Sequence, residues 1–389
     1  MLNPVPGGGE QPEQTMTGVP PLTFISTTDI LISYSIDGNL VQSGTPTPGA
    51  PIYPQECGDK TENIFDVVAF SENAFESKAT IARNGNTIIL TATANDAYIN
   101  QVFLEGSTPQ EQYRPSCISV DPETEYTIHL SKAPKCYISW LNDSFLAVAN
   151  YTRIPASYEP TAYTFTTPVG CTKILLRIGE ETTTGNTFQF SDIMIVKGST
   201  TPSSYIPFGY RITPTVNNTQ YPIYLSEPLR KIGSYADTVN SDGTVTRWIK
   251  KLVLAGTEEW TAGTGGNVNR KFLSNITDYL KNEGNISICS HYPTNASISS
   301  IFQAQYGVSF YYPAGGTYRL YIRDDQTLED FTQWLADEYS AGHPVCVWYA
   351  LATPTTETIT APTIQTIKGL NTFNVDTTLP PSNVSITYK

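Results

Sequence analysis

The chain has 389 residues, enough for two or three domains with separate cores. Only 15% of residues are charged, and 24 Tyr, 28 Pro and 27 Gly accompany just 3 Met, a profile that disfavours long helices and favours strands joined by turns. The formal net charge of −13, with no basic patch in the sequence to offset phosphate repulsion, argues against nucleic acid as a partner, and no run reaches the roughly 18 apolar residues that would span a bilayer.

Residues 1–23 (MLNPVPGGGEQPEQTMTGVPPLT) are too poor in apolar side chains to fold alone. They read as an extended docking arm ordered by a partner chain. Met1–Pro21 has neither a basic start nor an apolar core, so no secretory signal is expected there. Asp37-Gly38-Asn39, between Ile30–Ile36 and Leu40-Val41, is a hairpin signal. Gly44–Pro51 carries three prolines and must run extended. Segment 24–60 holds too few strands for a domain of its own. A buried strand at Val345–Leu351 is followed by Thr353-Pro354-Thr355, echoing Thr45-Pro46-Thr47. Segment 24–60 is therefore expected to pair with the C-terminal region, enclosing an inserted domain.

That domain is placed at 61–208. Ile88, Leu90 and Ala92 alternate, as do Tyr126, Ile128 and Leu130, Cys136, Ile138 and Trp140, and Ile174, Leu176 and Ile178; each set predicts one buried strand face. Turn clusters at Arg83–Asn86, Asn142–Ser144 and Thr184–Asn186 separate them, the spacing of a sandwich. Phe188–Val196 reads as a strand buried on both faces, bulged at Ser191-Asp192 and stopping at Lys197-Gly198-Ser199. Region 209–389 is read as β-rich (α+β), with a strand at Thr244–Leu254 exposing a basic side and a short helix over Arg270–Leu280. A helix is predicted at Leu328–Ser340, capped by Thr327 and stopped by Gly342, with Leu328, Phe331, Leu335 and Tyr339 on its apolar face.

Phe188–Tyr210, with its Gly-Ser stop, Thr-rich link and Tyr205-Ile206-Pro207 exit, resembles the last strand of a jelly-roll domain of the carbohydrate-binding-module type, as such domains occur in bacteriophage tail proteins. Gly44–Pro48, Ile223–Arg230, Trp348–Pro354 and Pro381–Tyr388 are similar to segments of minor tail and baseplate proteins from phages of Gram-positive bacteria. The resemblance implies a mainly β fold, with a jelly-roll sandwich inserted in a second β-rich domain. It also implies a virion structural protein of the tail, baseplate or fibre, made in the host cytoplasm and exposed after lysis. Other virion proteins, further copies of the chain and a host-surface glycan would be its partners. A capsid decoration or head-fibre protein with a purely architectural role is the alternative, and a glycan-processing enzyme carrying a binding module is the second.

Little in the residues points to catalysis, a metal or a cofactor, and none is expected. The sequence contains no GxSxG, HExxH, phosphate-binding or dinucleotide-binding stretch. Its three histidines are read as structural: His129 on the outer side of its strand, His291 beside Cys289-Ser290 without a second pair at zinc spacing, and His343 at a helix end. Glu180-Glu181 and Glu258-Glu259 are adjacent pairs, and neighbours in sequence are poorly placed to act together as a glycosidase pair. The six scattered cysteines are read as buried thiols. Aromatics remain, since sugar C–H faces lie well on their rings. Tyr98, Tyr113, Trp140, Tyr151 and Tyr158 are weighed, with Trp140 assigned to the core. The glycan-binding set is Tyr98, Tyr113, Arg114, Tyr158 and Glu159.

Overall fold

The computed structural model describes residues 14–17, 22–26, 32–130, 136–154, 161–179, 183–216, 219–263, 270–279, 287–294, 306–311, 318–360, 369–374 and 384–388. The protein is mainly β, with 49% strand against 9% helix. Two compact units emerge: Met1–Asp59 with Arg211–Lys389, and Lys60–Tyr210. Among the described residues no helix is long and apolar enough to cross a membrane.

In the Lys60–Tyr210 unit, antiparallel strands enclose one core. Ala147–Ile154, Cys136–Leu141, Lys173–Ile178, Tyr98–Ile99 and Glu76–Ser77 lie in that order in one sheet. Thr161–Thr166, Glu125–Leu130 and Met194–Lys197 form a second, and Thr187–Phe190, Thr87–Ala92 and Ala79–Asn84 a third. All four sequence-read faces are inside: Ile88, Leu90, Ile128, Ile138, Trp140 and Leu176 share the core. The stretch Phe188–Val196 is broken where the bulge was expected. Asp192 adopts φ 56°, and its carboxylate accepts from Asn86 Nδ2. The first half then pairs with Thr87–Ala92 and the second with Glu125–Leu130. Burial on both faces holds only for Met194–Val196, because Thr187 and Gln189 are exposed. Buried Asn63 fastens this strand to the exit segment. Its Oδ1 accepts from Ile195 N and Phe65 N at 3.0 Å, and its Nδ2 donates to Ile206 O at 2.9 Å.

The other unit is built on a seven-stranded sheet: Gln14–Thr17, Val384–Tyr388, Ile32–Asp37, Thr238–Asn240, Thr244–Leu254, Val345–Thr358 and Ser287–Cys289. The run Val345–Leu351 is apolar throughout because it has a core on each side. Val345, Val347, Tyr349 and Leu351 join the cluster that holds Phe331 and Leu335 of the helix Leu328–Ser340. Cys346, Trp348 and Ala350 join another with Leu40, Ile232 and Ile249. The strand continues to Thr358 through Pro354, which lies where the register shifts from Ala350 opposite Ile249 to Thr355 opposite Arg247. At such a bulge a missing N–H breaks no ladder bond. The helix starts as read, with Thr327 Oγ1 accepting from Asp330 N at 3.1 Å. It ends in a Schellman motif: His343 N donates to Glu338 O, Gly342 N donates to Tyr339 O, and Gly342 has φ 82°.

Four expectations are corrected. Ile32–Asp37 and Leu40–Val41 do not form a hairpin; the first pairs with Val384–Tyr388 and Thr238–Asn240, the second with Gln55–Glu56. Arg270–Ile276 is a strand, drawn into a four-stranded sheet with Trp260–Ala262, Tyr318–Arg323 and Gly307–Tyr311. Tyr339 is 52% exposed, while Trp334 packs with Phe331 on the apolar face. Of the basic residues in Thr244–Leu254, Arg247 is buried, its guanidinium bonded to Glu357 at 3.0 Å and to the carbonyls of Glu227 and Pro228. Within residues 1–23, Gln14–Thr17 pairs antiparallel with this chain's own Val384–Tyr388.

Candidate functional site

Strands Cys136–Leu141 and Lys173–Ile178 turn Ile138, Trp140, Ile174 and Leu176 into the core. Their intervening residues form the opposite sheet face. One end of that face is covered. Leu141, Leu175 and Ala147 pack there with Tyr113, Phe75 and Phe103, and Phe103 N donates to Ser139 Oγ at 3.0 Å.

The other end carries a row of rings and guanidinium groups. Tyr137 stands opposite Arg177 on one neighbouring strand and Arg153 on the other, so the three share a face. Tyr98 and Tyr151 join them. The Arg177 guanidinium lies 3.9 Å over the Tyr98 ring centroid and 5.5 Å from that of Tyr137, and Tyr137 meets Tyr151 edge-on at 5.7 Å. Tyr137 is the floor, whereas Tyr151 is 37% exposed and Arg153 is exposed. A hydrogen bond with Ser77 holds the Tyr98 phenol below its ordinary pKa; Gln101 and the charges of Arg177 and Lys78 add to this, against burial. Arg177 Nε is buried and donates to no partner among the described residues. Neither Arg153 nor Arg177 forms an ion pair among them. The row can hold a ring-shaped ligand against Tyr151 and present two cations to it, Arg177 held on the Tyr98 ring and Arg153 exposed.

Of the residues read from sequence, Tyr98 is in this row and so is Tyr151. Tyr113 is corrected: it is 2% exposed, with its ring edge-on to Phe75 at 5.1 Å and Phe103 at 5.4 Å, so it anchors the covered end and offers no surface. Arg114 is half-buried over the Phe145 ring at 4.9 Å and pairs loosely with Glu111 at 3.9 Å. Tyr158 and Glu159 lie outside the described residues. Tyr137, Arg153 and Arg177 were missed, although the signal was present. They occupy the outward positions of strands whose inward positions alternate cleanly.

The histidines resolve differently. His129 Nδ1 donates to Asp192 O at 3.3 Å. His343 serves its helix through the backbone, and its side chain is exposed. His291 Nδ1 is 2.8 Å from Ser290 Oγ, and Nε2 is 3.8 Å from Glu338. This superficially matches a nucleophile, a base and an acid. Ser290 and His291 are fully buried, however, and Ser290 Oγ already accepts from Cys346 N at 2.9 Å, which fastens two strands together. Glu258 is likewise engaged, accepting from Ala255 N and Gly256 N to close a turn. Among the described residues no three His, Cys, Asp or Glu side chains converge as a metal site.

No protein-family model matches this sequence, and no curated protein matches it.

Proposed function

We propose that the chain is a virion structural protein of a tailed bacteriophage, belonging to the tail, baseplate or fibre, whose Lys60–Tyr210 unit adheres weakly to host-surface glycans. The observation that carries the adhesion reading is the open row of Tyr98, Arg177, Tyr137, Tyr151 and Arg153 on one sheet face of that unit. The similarity of the Phe188–Tyr210 segment to jelly-roll carbohydrate-binding modules, and of the flanking segments to minor tail proteins, supports the virion context. The reading assigns binding and no catalysis. A single shallow sugar site gives about millimolar affinity, roughly −4 kcal/mol. Several copies on a symmetric particle raise avidity by about 10²–10⁴ without new contacts.

The test is binding of the full-length chain, free and displayed in many copies on beads, to cell-wall polysaccharide from Gram-positive bacteria. Beads bearing the wild-type chain should retain the polysaccharide, while the free chain binds weakly. Tyr151→Ala should abolish retention at an unchanged melting temperature. Equal retention by wild type and Tyr151→Ala, or none by either, overturns the reading.

A further inference from the structure

We infer that this row selects an acidic saccharide, a pyranose whose ring carboxylate pairs with Arg177, as in a uronic-acid polymer. The inference rests on the adhesion reading and narrows it to a ligand class.

Arg177 is clamped and, among the described residues, has no counter-charge. The rings of Tyr98 and Tyr137 fix its guanidinium plane but bring no counter-charge. Its Nε is buried without a hydrogen-bond partner among the described residues. A guanidinium offers five N–H donors in a rigid fork that matches a carboxylate, and holding the plane in advance removes the entropy of ordering it. Several other basic side chains are paired with carboxylates: Arg230 with Glu56 and Glu227, Arg247 with Glu357, Lys173 with Asp143, Lys197 with Asp121 and Lys250 with Asp278. Acidic residues outnumber basic ones by 36 to 23, so carboxylates are plentiful. Arg153 and Arg177 share one sheet face and pair with no carboxylate among the described residues.

The spacing adds a second constraint. Arg153 and Arg177 flank Tyr137 from either side, two strand separations apart, or about 9.5 Å. That suits a chain bearing its charges on alternate residues. Tyr151 beside them offers a ring to stack against. Ring contact and cation are therefore adjacent, which favours a sugar carrying its own carboxylate over a phosphodiester-linked polyol, whose backbone has no ring face.

The test uses the full-length chain on beads against three probes: polygalacturonate, the same polymer fully methyl-esterified, and poly(glycerol phosphate). The expected result is preference for the acid over its ester. Arg177→Gln should weaken acid binding by about tenfold or more, as for loss of a charge-assisted hydrogen bond, and weaken binding of the ester by much less, so that the preference for the acid is lost. Arg153→Gln, at an exposed position where misfolding is not a concern, should weaken acid binding less. Equal binding of acid and ester, or no effect of either substitution, overturns the acidic selectivity while adhesion stands. Preference for poly(glycerol phosphate) overturns the choice of carboxylate. No retention of any probe, together with failure on cell-wall polysaccharide, removes both readings.

Discussion

Gly38 lies against the backbone of Arg230. A Cβ at position 38 would stand 2.6 Å from the Arg230 carbonyl oxygen and from the Leu229 carbonyl carbon, and Gly38 N donates to Asp237 O at 2.7 Å. The residue therefore marks a close approach of two chain segments, and not the hairpin its Asp-Gly-Asn context suggests. Around it, buried Asp237 accepts from Trp248 N, Ile249 N and Arg230 N.

Gly38→Ala is expected to destabilise the unit containing it by about 1–3 kcal/mol, because only backbone can give way. Urea unfolding followed by tryptophan fluorescence reads this directly, since Trp248, Trp260, Trp334 and Trp348 belong to that unit. A midpoint equal to that of the wild type would mean the approach relaxes at no cost.

Tyr113 separates packing from binding. Tyr113→Ala empties the aromatic cluster with Phe75 and Phe103 and should cost about 3–5 kcal/mol, the range of large aromatic truncations. Tyr113→Phe keeps the ring, so it should leave the melting temperature and glycan retention near those of the wild type. Loss of retention in Tyr113→Phe at normal stability would return Tyr113 to the binding surface.

His291 sets an acid limit. Burial pushes its pKa below the ordinary 6.5, with Glu338 opposing and His343 adding to the shift. Ser290, Tyr53 and Trp334 also face it. The unfolded chain then takes up the proton first, so the stability contribution is complete above about pH 6.5 and is lost as pH falls from there toward the folded value. Melting temperatures measured between pH 7.5 and 5.5 should decline, and His291→Gln should flatten that decline. An unchanged slope in the variant would assign the effect to other groups.

The six cysteines are all free. Dithiothreitol should leave the melting temperature unchanged, whereas loss of a structural disulfide costs about 2–5 kcal/mol. Burial pushes the thiols of Cys136 and Cys289 up to about 12, so alkylation of the native protein at pH 8 should be far slower than in urea. Rapid native labelling of either residue, read by peptide mass, would contradict their burial.

Patterns confined to one element were legible in the sequence. Alternation in Thr87–Ala92, Glu125–Leu130, Cys136–Leu141 and Lys173–Ile178 identified the faces that reach the core, since a strand's side chains alternate whatever its neighbours are. The helix Leu328–Ser340 was legible to the residue, because Thr327 and Gly342 satisfy its terminal N–H and C=O groups locally. The pairing of segment 24–60 with the C-terminal region was also legible, and Ile32–Asp37 does lie against Val384–Tyr388. Its other neighbour, Thr238–Asn240, and the register of both pairs were decided only in three dimensions, because register depends on distant strands. The period of Arg270–Ile276 fits helix or strand, and pairing with Tyr318–Arg323 chose strand. The same limit hid the site. Alternation places Tyr137 and Arg177 on the outer face of their strands, but whether that face is covered, as at Tyr113, or open, as at Tyr151, depends on which loops fold over it. Arg177 became recognisable only once the register set it opposite Tyr137 and beneath no carboxylate among the described residues, with its guanidinium on the Tyr98 ring.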